Sequence, residues 1–324
     1  SYYLTSIGGQ RNYNNTATVN LLGGYINDLR VTSGLARYTD ISLTVPTASF
    51  SDYPYSYTKP SFVAQVYQPT QATLTGGGAN SDTFYQNVRV LCNFNGANGS
   101  TSITDSSKYN RSITNNRGVI STTTSKFGGS SIYYNGTTGS TPATVISNVF
   151  NGISLNQQIN DPYGISSSYY TPWSLEFWAK IPVGNYWSGV ILTSKTQVSP
   201  ISSGAGFTIY TAYDIQGSRV VYLVVGSSLY GLTNISAIDN SWAYYTVSCN
   251  GYYLRFSLYT ENGNFVSADT TPMSSAMQIN NQNDLYVGSG STGDWALTGN
   301  IDDLRFTYGA YRELSVPTVE FPGY

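Results

Sequence analysis

The 324-residue chain contains no histidine, which removes every mechanism built on an imidazole, from Ser-His-Asp hydrolysis to His-ligated zinc. Charged residues make up 10% of it, where an ordinary soluble domain carries about 25%, and 15 Lys+Arg against 17 Asp+Glu leave a net charge of −2, with no basic surplus to follow a phosphate backbone. At 40% hydrophobic and with 30 tyrosines it is too apolar for a disordered polymer, so solubility falls to Asn, Ser, Thr, Gly and tyrosine hydroxyls, the profile of an extracellular β-protein.

In chain order, the first feature is one half of an internal repeat. Gly24-Tyr25-Ile26-Asn27-Asp28-Leu29-Arg30-Val31-Thr32 matches, in register, Gly299-Asn300-Ile301-Asp302-Asp303-Leu304-Arg305-Phe306-Thr307. Both copies continue to a glycine two residues on (Gly34, Gly309) and an arginine three after that (Arg37, Arg312). Both end in Pro and Phe spaced four apart: Pro46 and Phe50, Pro317 and Phe321. Residues 1–50 therefore read as the closing strands of one unit. Fifty residues bury too little for an independent core of this kind, so residues upstream of Ser1 or another subunit are expected to complete it. The start SYYLTS, without Met, points to a processed chain or a piece of a longer one. Residues 51–85, with Pro54, Pro60, Pro69 and Gly76-Gly77-Gly78, read as a linker holding one strand, Phe62–Tyr67. Residues 86–324 read as a complete second unit.

Within that unit helical periodicity is almost absent and period-two alternation recurs. In Ser174–Ile181, Leu175, Phe177, Ala179 and Ile181 share one face, and Glu176, Trp178 and Lys180 the other. The run Val220–Val225 is apolar on both faces, as a covered central strand would be. Trp242–Ser248, Tyr253–Tyr259 and Leu285–Gly288 alternate again, and Asn-Gly pairs such as Asn250-Gly251 and Asn262-Gly263 mark hairpin turns. Cys92 and Cys249 lie in strand-like runs and read as buried free thiols, a bridge between them being the alternative. No apolar run approaches the roughly 18 residues of a membrane-spanning helix, and no secretory leader is visible. Short antiparallel strands of this kind close most readily as an all-β, two-sheet antiparallel jelly-roll sandwich.

Four motifs carry a resemblance. Val90-Leu91-Cys92-Asn93-Phe94-Asn95-Gly96 through Thr104-Asp105-Ser106-Ser107, Ser125-Lys126-Phe127-Gly128-Gly129-Ser130-Ser131, Trp173-Ser174-Leu175-Glu176-Phe177-Trp178 and Gly299-Asn300-Ile301-Asp302-Asp303-Leu304-Arg305 occur in order over about residues 87–322. Together they resemble the laminin G-like, concanavalin A-like lectin/glucanase jelly rolls of phage virion and tail-fibre proteins. Asn93 and the Trp242-Ala243-Tyr244 run depart from it, standing where members often show histidine. The resemblance implies a binding or structural module, usually without catalysis, and makes residues 1–50 the tail of a preceding domain of the same kind.

Enzymes of this fold place a catalytic carboxylate pair on one strand as E-x-D-x-x-E. The four glutamates here, Glu176, Glu261, Glu313 and Glu320, form no such cluster, and Trp178 takes the place of the Asp beside Glu176. Calcium is a possible cofactor, with Asp105, Asp302 and Asp303 as ligands. The competing reading makes Asp303 an acid that satisfies loop amides and Arg305 a partner across the sheet. For a glycan, the candidate stacking residues are Tyr186 and Trp187 in the Gly184–Gly189 loop, Tyr252 and Tyr253 near a hairpin, and Trp295 before the closing strand. Most tyrosines must pack in sheets instead.

The expectation is thus a non-enzymatic protein on the virion surface, a fibre or a capsid decoration, attaching to cell-surface carbohydrate. Partners would be copies of itself, as a homo-oligomer with trimer first, or other virion proteins, with no nucleic acid and no membrane insertion. A purely architectural capsid or fibre-shaft role is the alternative, and a degenerate glucanase a third.

Overall fold

The structure, a computed structural model, describes residues 10–11, 18–19, 82–162, 168–183, 189–196, 204–213, 218–232, 235, 238–274, 277, 283–312 and 316–322. The chain divides into two units, Ser1–Val63 and Ala64–Tyr324. In the first, β1 (Gln10–Arg11) pairs antiparallel with β2 (Thr18–Val19). The first copy of the repeat and the expected strand Phe62–Tyr67 lie outside the described residues.

The second unit opens with a single 3-10 turn, Tyr85–Asn87, and β3 (Val88–Cys92), β4 (Ile113–Asn115), β5 (Val119–Ser121), β6 (Ser131–Asn135) and β7 (Thr144–Ile146). A small pair, β8 (Gln158–Ile159) and β9 (Tyr169–Tyr170), precedes β10 (Trp173–Lys180), β11 (Val190–Thr193), β12 (Phe207–Tyr213), β13 (Arg219–Val225) and β14 (Ser228–Leu232). The remainder is β15 (Trp242–Cys249), β16 (Tyr253–Thr260), β17 (Phe265–Pro272), β18 (Leu285–Val287) and β19 (Thr298–Tyr308).

Two antiparallel sheets form a sandwich. The eight-stranded sheet runs β17-β16-β15-β10-β19-β6-β5, and β3 pairs with the second half of β19 beside β6. The seven-stranded sheet runs β14-β13-β12-β11-β18-β7-β4. The expected alternation holds in β10: Leu175, Phe177, Ala179 and Ile181 all enter the core, where they meet Ile191, Leu192, Ile209, Leu223 and Val225 of the other sheet. Leu254, Phe256 and Leu258 of β16 do the same. Phe177 stacks on Tyr245 of the next strand at 5.0 Å and 7°, a cross-strand aromatic pair of the kind that fixes register.

The strand β13 is buried on both faces, as its sequence predicts, but it lies next to the edge strand rather than at the sheet centre. Its outer residues are covered because Val224 joins Val190 and Tyr210 in a small apolar cluster. A third cluster lies on the outer face of the eight-stranded sheet: Trp178, Trp242 and Tyr244 packed under Val88, Leu91 and Phe321. That face is closed by the segments flanking the strands. Asp82, Phe84 and Tyr85, which the sequence assigns to a linker, belong to this closure. Cys92 and Cys249 are both free and buried. Among the described residues no helix is long and apolar enough to cross a membrane.

Asn250-Gly251 and Asn262-Gly263 join β15 to β16 and β16 to β17, as the hairpin signal requires. Gly251 has φ +99, and a Cβ there would fall 2.1 Å from the Tyr169 ring, whereas Gly99, at φ +83, has open space around it. Gly99→Ala is expected to cost about 1–2 kcal/mol from left-handed backbone strain alone. Gly251→Ala should cost about 1–3 kcal/mol more, because the ring must shift. Urea unfolding of the two variants measures the difference, and equal losses would remove the ring contact as a cause.

Candidate functional site

The strand pairing of β10 with β19 sets Glu176 directly opposite Arg305. Glu176 is 2% exposed on the outer face of the eight-stranded sheet. Its carboxylate accepts two hydrogen bonds from the Arg305 fork, Nη2 to Oε1 at 2.9 Å and Nε to Oε2 at 3.1 Å, and another from the Tyr244 hydroxyl. Arg312 meets Asp82 with both terminal nitrogens, at 2.8 and 2.6 Å, and donates its Nε to Thr307 Oγ1 at 2.7 Å. Arg305 Nη1 also reaches Asp82, at 3.4 Å, and its guanidinium lies 3.7 Å from the centre of the Phe321 ring. Burial alone would push Glu176 upward, but Arg305, then Arg312 and Tyr244, hold it below the usual glutamate range. A carboxylate so held is neither a general acid nor free to attack a sugar carbon.

Asp302 and Asp303 stand next in β19, both fully buried. Asp302 Oδ2 accepts the amides of Lys126 and Phe127, and its Oδ1 accepts the amide of Asp303. Asp303 Oδ1 accepts Asn93 Nδ2 at 2.7 Å, and Oδ2 accepts the amide of Phe321 at 3.0 Å. Asp303 has φ +47, a left-handed backbone that a non-glycine residue adopts only under local constraint. Burial raises Asp302 to about 7; burial, then the neighbouring Asp302 charge, raises Asp303 to about 8. Asp105 lies apart from the pair by its partners: it accepts the amides of Leu91, Ser107 and Arg111 and the hydroxyl of Ser107. Every carboxylate oxygen of the three aspartates accepts at least one hydrogen bond from an N–H or O–H donor. Among the described residues no group of three or more Asp, Glu or Cys gathers as a metal requires. This donor set suits carboxylates that hold loops, and does not fit calcium. Asp303 and Arg305 thus take the roles of the competing reading, an acid on a loop amide and a cation across the sheet.

The aromatic candidates separate. Tyr186 and Trp187 lie outside the described residues. Tyr252 is half-buried; its hydroxyl donates to Asp161 at 2.9 Å and its ring meets Tyr169 edge-on at 4.9 Å. Tyr253 is exposed at the start of β16. Trp295 packs instead on the outer face of the seven-stranded sheet, with Val190, Tyr210 and Tyr222. Its carbonyl accepts the Val190 amide at 2.8 Å, and a Cβ on Gly189 would fall 2.3 Å from Leu297 Cα, so the end of the Gly184–Gly189 loop is pressed against the Trp295 turn. Tyr210 and Tyr222 are cross-strand partners whose rings stack at 5.1 Å. Gly231 lies opposite Tyr222 and leaves room for its ring: a Cβ there would stand 3.0 Å from it. One rank further along the same face run Leu229, Val224, Thr208, Thr193, Tyr286 and Val145, one from each successive strand.

Sequence reasoning finds Trp295 but misses Tyr210 and Tyr222. Their signal is present, since both alternate with core residues in strand-like runs, yet nothing in one strand tells which tyrosine of another faces it.

No protein-family description and no curated protein matches the chain. Among solved structures, the receptor-binding domain of botulinum neurotoxin type G is similar over 71% of this chain and 49% of its own, at 15% identity and TM-score 0.42. Domain 4 of AbnA, a GH43 extracellular arabinanase from Geobacillus stearothermophilus in complex with arabinotriose, is similar over 69% of this chain and 94% of its own, at 15% identity and TM-score 0.40. The enzymatically active domain of bacteriophage CBA120 tailspike protein 2 is similar over 60% of this chain and 28% of its own, at 9% identity and TM-score 0.39. The chain spans about half the length of the neurotoxin domain it matches.

Glu176→Gln leaves Arg305 buried with half its counter-charge, and should cost about 3–5 kcal/mol of unfolding free energy, read from urea midpoints at pH 7. A loss below 1 kcal/mol would mean that solvent reaches the cluster. Asp302 and Asp303 have the opposite sign. Their folded values lie above the ordinary aspartate value near 4, so the folded state holds more protons through the window from about pH 4 to pH 8. Their contribution to stability is full at the acid end and is lost as pH rises through about 7 and 8. The urea midpoint is expected to fall between pH 5 and 9, and Asp303→Asn should flatten that fall; the same slope in the variant would clear the pair.

Proposed function

We propose that this chain is a non-catalytic adhesive and structural β-sandwich of a virus particle, exposed on the virion as a fibre or decoration and attaching to host-surface glycan. The aromatic cluster around Trp295 carries the attachment reading. A half-buried indole beside the half-buried Tyr222, itself stacked on Tyr210, offers a flat apolar face to the C–H side of a pyranose. The four motifs between Val90 and Arg305 support the virion assignment. Absence of catalysis is supported by Glu176, the one glutamate on a central strand among the described residues, being locked to Arg305. Assembly as a homo-oligomer, with trimer first, belongs to the same proposal.

A glycan array probed with the whole chain tests it. Binding to at least one glycan is expected, with about tenfold loss on Trp295→Ala or Tyr222→Ala measured at a temperature and pH where each variant remains folded by its own unfolding midpoint. No bound sugar would leave the architectural role standing. Measurable hydrolysis of a β-glucan by the purified chain would overturn the non-catalytic reading.

A further inference from the structure

Several cations of this chain are neutralised inside it. Arg305 and Arg312 meet Glu176 and Asp82, Arg219 meets Asp239 at 2.5 Å, and Lys126 meets Glu261 at 3.5 Å. Arg89, Lys108 and Arg111 are arranged differently. Among the described residues none of the three makes an ion pair, yet all stand around one ring, that of Tyr109. The distances to its centre are 4.9 Å for Arg89, 5.2 Å for Lys108 and 4.8 Å for Arg111. Tyr109 is 41% exposed and Lys108 is exposed beside it.

The backbone builds this grouping. Phe306 faces Val90 and Thr307 faces Val88, so Arg89 is the extra residue of a β-bulge. A bulge re-aims its side chain and frees its backbone from the ladder. The freed Arg89 carbonyl accepts Arg111 Nε at 2.8 Å and Ser107 Oγ at 3.3 Å. The Arg89 guanidinium, swung outward, also lies 5.7 Å from the Tyr308 ring. The loop from Asp105 to Arg111 is wound on the Asp105 carboxylate by two of its own amides and a hydroxyl, with the Leu91 amide of β3 holding the same carboxylate, which projects Lys108 and Tyr109 to solvent. Asp105 is buried beneath them and spent on those donors. Arg111 is lowered from its ordinary value by burial and then by the Arg89 charge, which the nearby Asp105 carboxylate offsets only in part.

We propose that Arg89, Lys108 and Arg111, fanned around Tyr109, form a binding site for an acidic saccharide, one that carries carboxylate or sulfate groups. It rests on the attachment reading above and names the chemical class of its ligand. The Arg89 guanidinium fork supplies paired donors for a planar or tetrahedral oxyanion, while Arg111, held by its Nε and Nη1 on the Arg89 and Asn148 carbonyls, adds its charge and its remaining Nη2 donor. The exposed Gln86, which accepts from Lys108 Nζ at 3.2 Å, and the exposed Asn110 supply amides for sugar hydroxyls. Three cations in one spot, on a chain of net charge −2, match one or two anionic groups and not a continuous phosphate track.

Biolayer interferometry of the intact chain with dextran sulfate, polygalacturonate, neutral dextran and poly-L-glutamate tests this at about physiological ionic strength, where a surface pair is screened but not abolished. The parent should bind dextran sulfate or polygalacturonate, whichever arm responds identifying sulfate or carboxylate, and not neutral dextran. Arg89→Gln with Lys108→Gln removes two charges that hold no backbone in place. It should weaken that binding about tenfold or more, with no change in the unfolding midpoint. Equal binding by the double variant would overturn the site, as would equal binding of neutral dextran. Equal affinity for poly-L-glutamate would overturn the saccharide class. Trp295→Ala separates this inference from the one it rests on. Glycan binding lost in Trp295→Ala but kept in Arg89→Gln/Lys108→Gln overturns this site and leaves the attachment reading intact. The reverse pattern places attachment here.

Discussion

A carboxylate moved from water into a protein interior loses several kcal/mol of solvation unless donors replace the water. The outer face of the eight-stranded sheet is organised around meeting that demand for Glu176. Its partner Arg305 comes from the adjacent strand β19, in register, and its third donor, Tyr244, from β15 on the other side. Arg305 then needs more than one carboxylate, and Asp82 supplies it from the segment leading into β3. Asp82 in turn is shared with Arg312, just past the end of β19. Each partner added to satisfy the last brings another stretch of chain onto the face. Phe84, at the Arg312 guanidinium, and Phe321, over Arg305, finish the cover. The small core of Trp178, Trp242 and Tyr244 lies buried beside this polar cluster.

The same economy explains why so few charges suffice. Asp105, Asp302 and Asp303 each fasten a loop by its amides, and together they hold the three segments that the sequence marks by TDSS, SKFGG and IDD. Asp302 grips Lys126 and Phe127, Asp303 grips Phe321, and Asp105 grips Leu91 and Arg111. Asn93 serves beside them, donating from one amide nitrogen to Asp303 and to the Phe321 carbonyl, so a neutral side chain bridges β19 and the tail. Beside buried acids and the ion-paired Arg219, Arg305 and Arg312, which serve as internal struts, a cluster of cations without an ion pair among the described residues stands out by contrast.

Much of this fold is legible in the residues alone. The alternation of SLEFWAKI and YLRFSLY assigns the core faces of β10 and β16, and Asn-Gly pairs place two hairpins. Burial of the two thiols follows from their strand-like surroundings. The repeat even marks which aspartate and arginine of the closing strand matter. What one strand does not contain is its partner's register. That Glu176 faces Arg305 depends on pairing across 129 residues, and that Tyr210 faces Tyr222 depends on the register between β12 and β13. The bulge at Arg89 is hidden for the same reason: it exists only as a mismatch of one residue between β3 and β19, more than 200 positions apart. Asp105 reads equally well as a metal ligand or a loop organiser until its four donors are known.

Tyrosine is what joins these observations to the composition. In a core poor in charge, a phenol buries a large apolar ring and still carries one donor to a chosen acceptor. Tyr134 bonds Thr144, Tyr308 the Ser154 carbonyl, Tyr85 the Ser106 carbonyl and Tyr244 the Glu176 carboxylate. Burial raises Tyr244 well above its usual range, so it stays a donor at every physiological pH and never competes with Glu176 for a negative charge. At the surface the same side chain does two other things. Tyr222, its ring backed by the buried Tyr210, has little conformational freedom to lose, and Tyr109 gathers three cations that would otherwise spread apart. A lysine or glutamate could replace none of these roles without either an unpaired buried charge or a flexible, solvated arm. The tyrosine excess and the charge deficit are therefore one design, in which rings carry packing, internal hydrogen bonds and recognition together.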